Sequence, residues 1–116
     1  MNSDQYHLCK IAEECAEVAQ RALKAQQFGL QEVQAGQERN NLERLLSEFH
    51  DLVATFENFL SQVGKQQRVL PNHFQRQARL EKMEKFLNLA IRLNQVDADV
   101  SVRSKNSGQS ECETKS

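Results

Sequence analysis

Residues 41–63 contain no Gly or Pro and place Leu42, Leu45, Leu46, Phe49, Leu52, Val53, Phe56, Phe59, Leu60 and Val63 at helical spacing. A strand would scatter these side chains over both of its faces. A helix gathers them into one broad stripe, and a stripe of that width calls for heavy packing. Residues 4–27 repeat the theme. They lack Gly and Pro, are rich in good helix formers, and bring Leu8, Ile11, Ala12, Cys15, Ala19, Ala22 and Leu23 to one side. Ser3 or Asp4 is the expected N-cap and Gly29 the stop signal. Alanines on the buried side would let another helix approach closely.

Between the two segments, residues 29–41 break into Gly, Gln and Asn with isolated apolar residues, so a loop is expected, with Gly36 at a second reversal. A short basic connector over residues 64–72 leads through Pro71 and Asn72 into a third helix, about residues 72–94, whose inward face is Leu80, Met83, Phe86, Leu87, Ala90 and Ile91. No strand pattern is present. Residues 101–116 have almost nothing apolar to offset the entropy of ordering and are expected to be disordered. The expected architecture is all-α: one domain over residues 1–96 built on three main helices, then a polar tail over 97–116.

A chain of 116 residues is long enough for one domain and too short for two. At that size much apolar surface stays uncovered, which makes extra core from a second subunit plausible. The 39% hydrophobic and 27% charged content is ordinary for a soluble protein, and no apolar run approaches the roughly 20 residues of a membrane span. The polar N-terminus lacks the layout of a secretory signal, so a cytoplasmic location is expected. Three cysteines without C-x-x-C spacing argue against a disulfide framework and a zinc site, and Cys9 and Cys15 are expected as small core residues. The net charge of −1 conceals a contrast: residues 1–63 carry ten acids and five bases, whereas residues 64–93 carry seven bases and two acids. With that small net charge, 6% aromatic residues and no recognition motif, nucleic-acid binding is not expected.

On a helical wheel Glu13, Glu14 and Glu17 fall in one arc of the first helix, shared with Lys10, Arg21 and Lys24. Glu14 and Glu17 are three apart, so their side chains start about 5–6 Å from each other and can close on one ion. On its own this arc reads more readily as a solvated face of intrahelical ion pairs, in which Lys10, Arg21 and Lys24 pair with the glutamates. Glu48 and Asp51 change the balance, because they repeat the three-residue spacing at the edge of the second helix's apolar stripe. Four carboxylates gathered in one cleft must take up protons or hold a cation. An all-oxygen set without histidine at chelating spacing suits Mg²⁺, with Mn²⁺ as a substitute, better than zinc or iron. His50 lies two residues after Glu48, which is the wrong spacing for a di-iron bundle.

The runs E-E-C-A-E at Glu13 to Glu17 and E-F-H-D at Glu48 to Asp51 resemble the paired E-E-x-x-E and E-x-x-D motifs of MazG-like nucleoside triphosphate pyrophosphohydrolases. The likeness is greatest to compact phage and bacterial members. It extends through the F-G-L-Q-E-V-Q-A-G-Q run from Phe28 and the L-E-K-M-E-K-F-L run from Leu80. The resemblance implies a helical bundle completed by dimerisation, sometimes into a tetramer. It implies Glu14, Glu17, Glu48 and Asp51 as Mg²⁺ ligands, with Glu13 beside them at a second metal or a water, and Glu13, Glu14 and Glu48 as the catalytic carboxylates. The reaction implied is hydrolysis of a nucleoside triphosphate to monophosphate and pyrophosphate.

Basic residues complement that picture. Arg79, Lys82 and Lys85 recur every three residues on the third helix, and Lys10, Arg21 and Lys24 flank the carboxylates, so both sets are candidates for phosphate. Phe28, Glu32 and Asn41 are placed by position to contact a base. His7 lies two turns before Glu14 on a similar face. The competing reading is a metal-free helical interaction or regulatory module whose apolar stripes bind a partner and whose acids keep it in solution.

Overall fold

A computed structural model describes residues 1–65 and 67–97. Among them the regular structure is wholly helical: α1 is Ser3–Phe28, α2 is Asn41–Gln62 and α3 is His73–Arg92. The expected polar tail lies, from residue 98 on, outside the described residues. No helix among them is long and apolar enough to cross a membrane.

Each helix begins in the same way. Asn2, Asn40 and Asn72 accept from the backbone N–H three residues on, and the side chains of Gln5, Glu43 and Gln75 accept in return from the cap's own N–H, at 2.8–2.9 Å. The cap of α1 is thus Asn2, one residue ahead of the expected Ser3 or Asp4, because Gln5 stands at the reciprocating position. Gly29 ends α1 as expected, at φ 97°, a conformation that suits glycine alone.

The chain forms two compact units, Met1–Val69 and a second that starts at Leu70. The first is an antiparallel helical hairpin. Its loop is tied to the start of α2 through Asn41, the most buried polar residue described, at 3% exposure. The Asn41 amide donates to the Gly29 carbonyl and to Glu32 Oε1, both at 2.9 Å, and its backbone N–H donates to the Glu32 carbonyl at 3.0 Å. Arg44 adds a bond to Gln34 Oε1 at 2.8 Å.

The hairpin packs on an unexpected face. The half-buried residues of α1 are His7, Lys10, Ile11, Glu14, Val18, Arg21 and Lys24, with Ala25 fully buried, and those of α2 include Leu45, Glu48, Leu52, Thr55 and Phe59. Cys9 and Cys15 are exposed, which corrects their assignment to the core, and so are Ala12, Ala19 and Ala22. The reason is rotational. The charged stripe of α1 and the alanine stripe cannot both face α2, and the charged one does.

The apolar stripe of α2 is correspondingly divided. Leu45, Leu52 and Phe59 turn inward, while Leu42, Leu46, Phe49, Phe56 and Val63 remain 38–51% exposed, so the heavy packing expected of the whole stripe is not met among the described residues of the hairpin. With the half-buried Val53 and Leu60, these five follow an unbroken alternation of four- and three-residue steps, which is the seam pattern of a coiled coil. In the second unit, Leu80, Met83 and Phe86 of α3 are about half exposed, and Leu87, Ala90 and Ile91 are half-buried.

Candidate metal centre

Antiparallel pairing sets residues rising along α1 against residues falling along α2. Asn41 bonds to the Gly29 carbonyl just past the end of α1, and the His7 and Phe59 rings lie 6.4 Å apart at the other end. Between these anchors Glu14 meets Glu48 and Asp51. One carboxylate oxygen from each lies within 4.8 Å of the other two. Glu14 and Glu48 are half-buried in the seam and Asp51 is exposed at its edge, so the group is open on one side.

Partial burial is the largest influence on Glu14, followed by the charges of Asp51, Glu48, Glu17 and Glu13, and together they hold its carboxyl above the ordinary carboxylate range. The same influences define what the group can accept. Three carboxylates converging from two helices offer a hard, all-oxygen donor set of net negative charge, which fits Mg²⁺ or Mn²⁺ and provides no soft ligand for zinc or copper.

Glu17 is exposed, one turn along α1, outside the close trio although its charge acts on Glu14. Glu13 is engaged elsewhere. Its carboxylate receives Lys10 Nζ at 3.2 Å, the ion pair among the described residues, and lies 3.8 Å from the Cys9 thiol. The hydrogen bond to Glu13, and then its charge, raise the Lys10 pKa.

Arg21 and Lys24 do not pair with the glutamates. Arg21 Nη1 is buried and has no hydrogen-bond partner among the described residues, which leaves a cationic donor orphaned in the seam. Lys24 Nζ sits 5.7 Å from the centre of the Phe28 ring. Phe28, Lys24, Glu32 and Asn41, all singled out in the sequence, do come together with Gln34 around a hollow of about 160 Å³. The polar groups there are largely engaged in anchoring the loop. Arg79, Lys82 and Lys85 are exposed on α3 in the second unit.

Two residues of the hairpin escaped the sequence reading. Thr55 and Asn58 follow Asp51 by four and seven positions, so they continue its stripe along α2, and with Tyr6, His7, Lys10 and Glu14 they line an open groove of about 340 Å³. The signal was the i, i+4, i+7 spacing counted from the second acidic motif. No family model, curated protein or solved structure matches this chain.

Proposed function

We propose that the protein is a divalent-metal-dependent nucleoside triphosphate pyrophosphohydrolase of MazG-like type. The observation that carries this reading is the convergence of Glu14, Glu48 and Asp51 from two helices to within 4.8 Å, at the positions where the sequence resembles the family's paired motifs.

In this reading Glu14, Glu48 and Asp51 hold the cation, and Glu17 is the fourth ligand that the resemblance implies. A bound Mg²⁺ would neutralise phosphate charge and lower the pKa of an attacking water. The water oxygen bonds to the α-phosphorus, the bond to the bridging oxygen breaks, and pyrophosphate departs. A neighbouring carboxylate, Glu13 or Glu48, takes the water's proton. Lys10 on one side of the carboxylates and the orphaned Arg21 guanidinium on the other are the phosphate contacts that the hairpin offers, and an anion would satisfy Arg21 Nη1. Lys24 and Phe28 of the hairpin remain candidates for the same substrate. The exposed apolar seam of α2 supports self-association, because covering the exposed part of each half-buried Leu or Phe is worth about 1 kcal/mol.

The test is pyrophosphate release from a panel of NTPs and dNTPs with Mg²⁺ or Mn²⁺, beside a folded Glu48→Gln variant. Metal-dependent release that the variant loses upholds the reading. Absence of turnover on every nucleotide, with no metal-dependent rise in thermal stability, overturns it.

The same exposed seam favours a second reading, a helical interaction module with no metal requirement. That module would tolerate Glu48→Ala with its partner binding intact.

A further inference from the structure

The groove beside the carboxylates has an order to it. Along α1 an aromatic pair, Tyr6 and His7, is followed one turn later by Lys10 and one turn after that by Glu14. The eight steps from Tyr6 to Glu14 span roughly 12 Å of helix axis. Across the groove, α2 sets Asp51 against Glu14, then Thr55, then Asn58 at the aromatic end. Charge therefore changes along the groove from none, to one cation, to a cluster of anions able to hold a metal.

A nucleotide carries its groups in the matching sequence: a flat base with amide-like edges, a sugar, and then phosphates that require cations. Tyr6 stands edge-on to His7 at 5.5 Å between ring centres, and Lys10 Nζ lies 5.4 Å from the Tyr6 ring centre while held by Glu13. The ammonium is thereby kept at the boundary between the aromatic end and the carboxylates, where the α-phosphate would come. Tyr6 Oη, the His7 ring nitrogens, the Thr55 hydroxyl and the Asn58 carboxamide make no side-chain hydrogen bond among the described residues. They differ in this from the hollow at the other end of the hairpin, where Asn41 and Glu32 bond to each other. Unengaged polar groups converging on an aromatic-lined groove are what a ligand site offers.

From this order we infer that the groove lined by Tyr6, His7, Thr55 and Asn58 takes the base and sugar of the nucleotide, with Asn58 reading the edge of the base. The inference rests on the hydrolase reading for the position of the phosphates. A carboxamide presents one donor face and one acceptor face, whereas a carboxylate only accepts, so Asn58 is the position at which base preference can be redirected.

Tyr6 and Asn58 are both exposed, so their replacement leaves the packed seam untouched. In steady-state kinetics, Tyr6→Ala and Asn58→Ala are each expected to raise KM about tenfold with kcat unchanged, the size of effect that loss of one base contact brings. Asn58→Asp is expected to shift the kcat/KM ratio of cytosine over uracil nucleotides about tenfold toward cytosine, whose amino group donates. Inhibition by inorganic tripolyphosphate, which has no base, should be the same in all three variants as in the parent. Unchanged KM and unchanged base ratio would overturn the assignment while leaving hydrolysis standing, and so would a loss of tripolyphosphate inhibition in step with the nucleotides. If the parent chain turns over nothing, the hydrolase reading falls, and NMR titration with CMP and UMP decides the groove. Shifts centred on His7, Thr55 and Asn58 uphold it, and their absence overturns it.

Discussion

The two long faces of α1 reverse the usual arrangement of a helical hairpin. The face turned to α2 carries Lys10, Glu14, Arg21 and Lys24 among Ile11, Val18 and Ala25, whereas the face turned away carries Leu8, Ala12, Cys15, Ala19 and Ala22. Helices normally bury the apolar stripe and expose the charged one. The reversal shows what each face is suited to receive. Charge packed into a seam needs a counter-ion or ligand, and small apolar residues left in solvent allow another helix to come close. Under the proposed function the polar seam is the site, and the apolar seam is the surface open to a second copy.

The comparison breaks hardest at the polar seam. Glu48→Gln removes one member of the trio and is expected to lower turnover at least about 100-fold while the protein stays folded, as checked by pyrophosphate release and circular dichroism. At the apolar seam, Phe49→Asp should convert a self-associated species to a monomer in sedimentation velocity, with the metal requirement of any residual activity unchanged. A parent chain that sediments as a monomer at all concentrations would remove the apolar seam's assigned role.

Smaller effects sharpen the contrast. Asn41→Ala leaves the Gly29 carbonyl and the Glu32 carboxylate without their donor and is expected to cost about 1–3 kcal/mol in urea unfolding. Asn40→Ala removes a cap and an exposed bond from the Asn40 amide to Gln31 Oε1, about 1 kcal/mol by the same measurement.

The smallest effect is the pH dependence of the polar seam. The folded state holds the Glu14 proton more tightly than the unfolded chain does, so Glu14 contributes a loss of stability as pH rises through the interval above about pH 4.3. Thermal unfolding of Glu14→Gln against the parent, metal-free, should therefore show the two curves separating as pH is raised through that interval. Adding Mg²⁺ should narrow the gap by stabilising the parent alone.

Much of this was legible in the sequence, and the reasons differ by element. The helices could be read because their limits are written locally. Gly29 stops α1, Asn72 opens α3, and the apolar spacing of α2 admits no strand. The cap of α1 was misplaced because Ser3 and Asp4 are as good caps as Asn2, and only Gln5, the reciprocating partner, decides among them. The acidic trio was readable from two three-residue spacings on separate helices, although its tightest members are Glu14, Glu48 and Asp51, with Glu17 a turn away. The rotation of α1 was not readable. A helical wheel gives two faces but does not say which one the neighbour takes. Assigning apolar residues inward placed Cys9 and Cys15 in a core that the hairpin does not form. Thr55 and Asn58 were missed for a related reason, since neither has chemistry of its own and each matters only opposite Tyr6 and Lys10.

The repeated asparagine caps have a consequence for how the carboxylates come to meet. Each helix start is specified within four residues, and the hairpin closes over the loop of residues 29–40 that Asn41 fastens at its base. Contacts so close in the chain form early and fast compared with pairings across a large sequence separation. Glu14, Glu48 and Asp51 can then assemble at the rate of a single loop closure, while the polypeptide is still alone. Assembly of the carboxylate trio would therefore be first order in chain concentration, with any concentration dependence confined to the apolar seam.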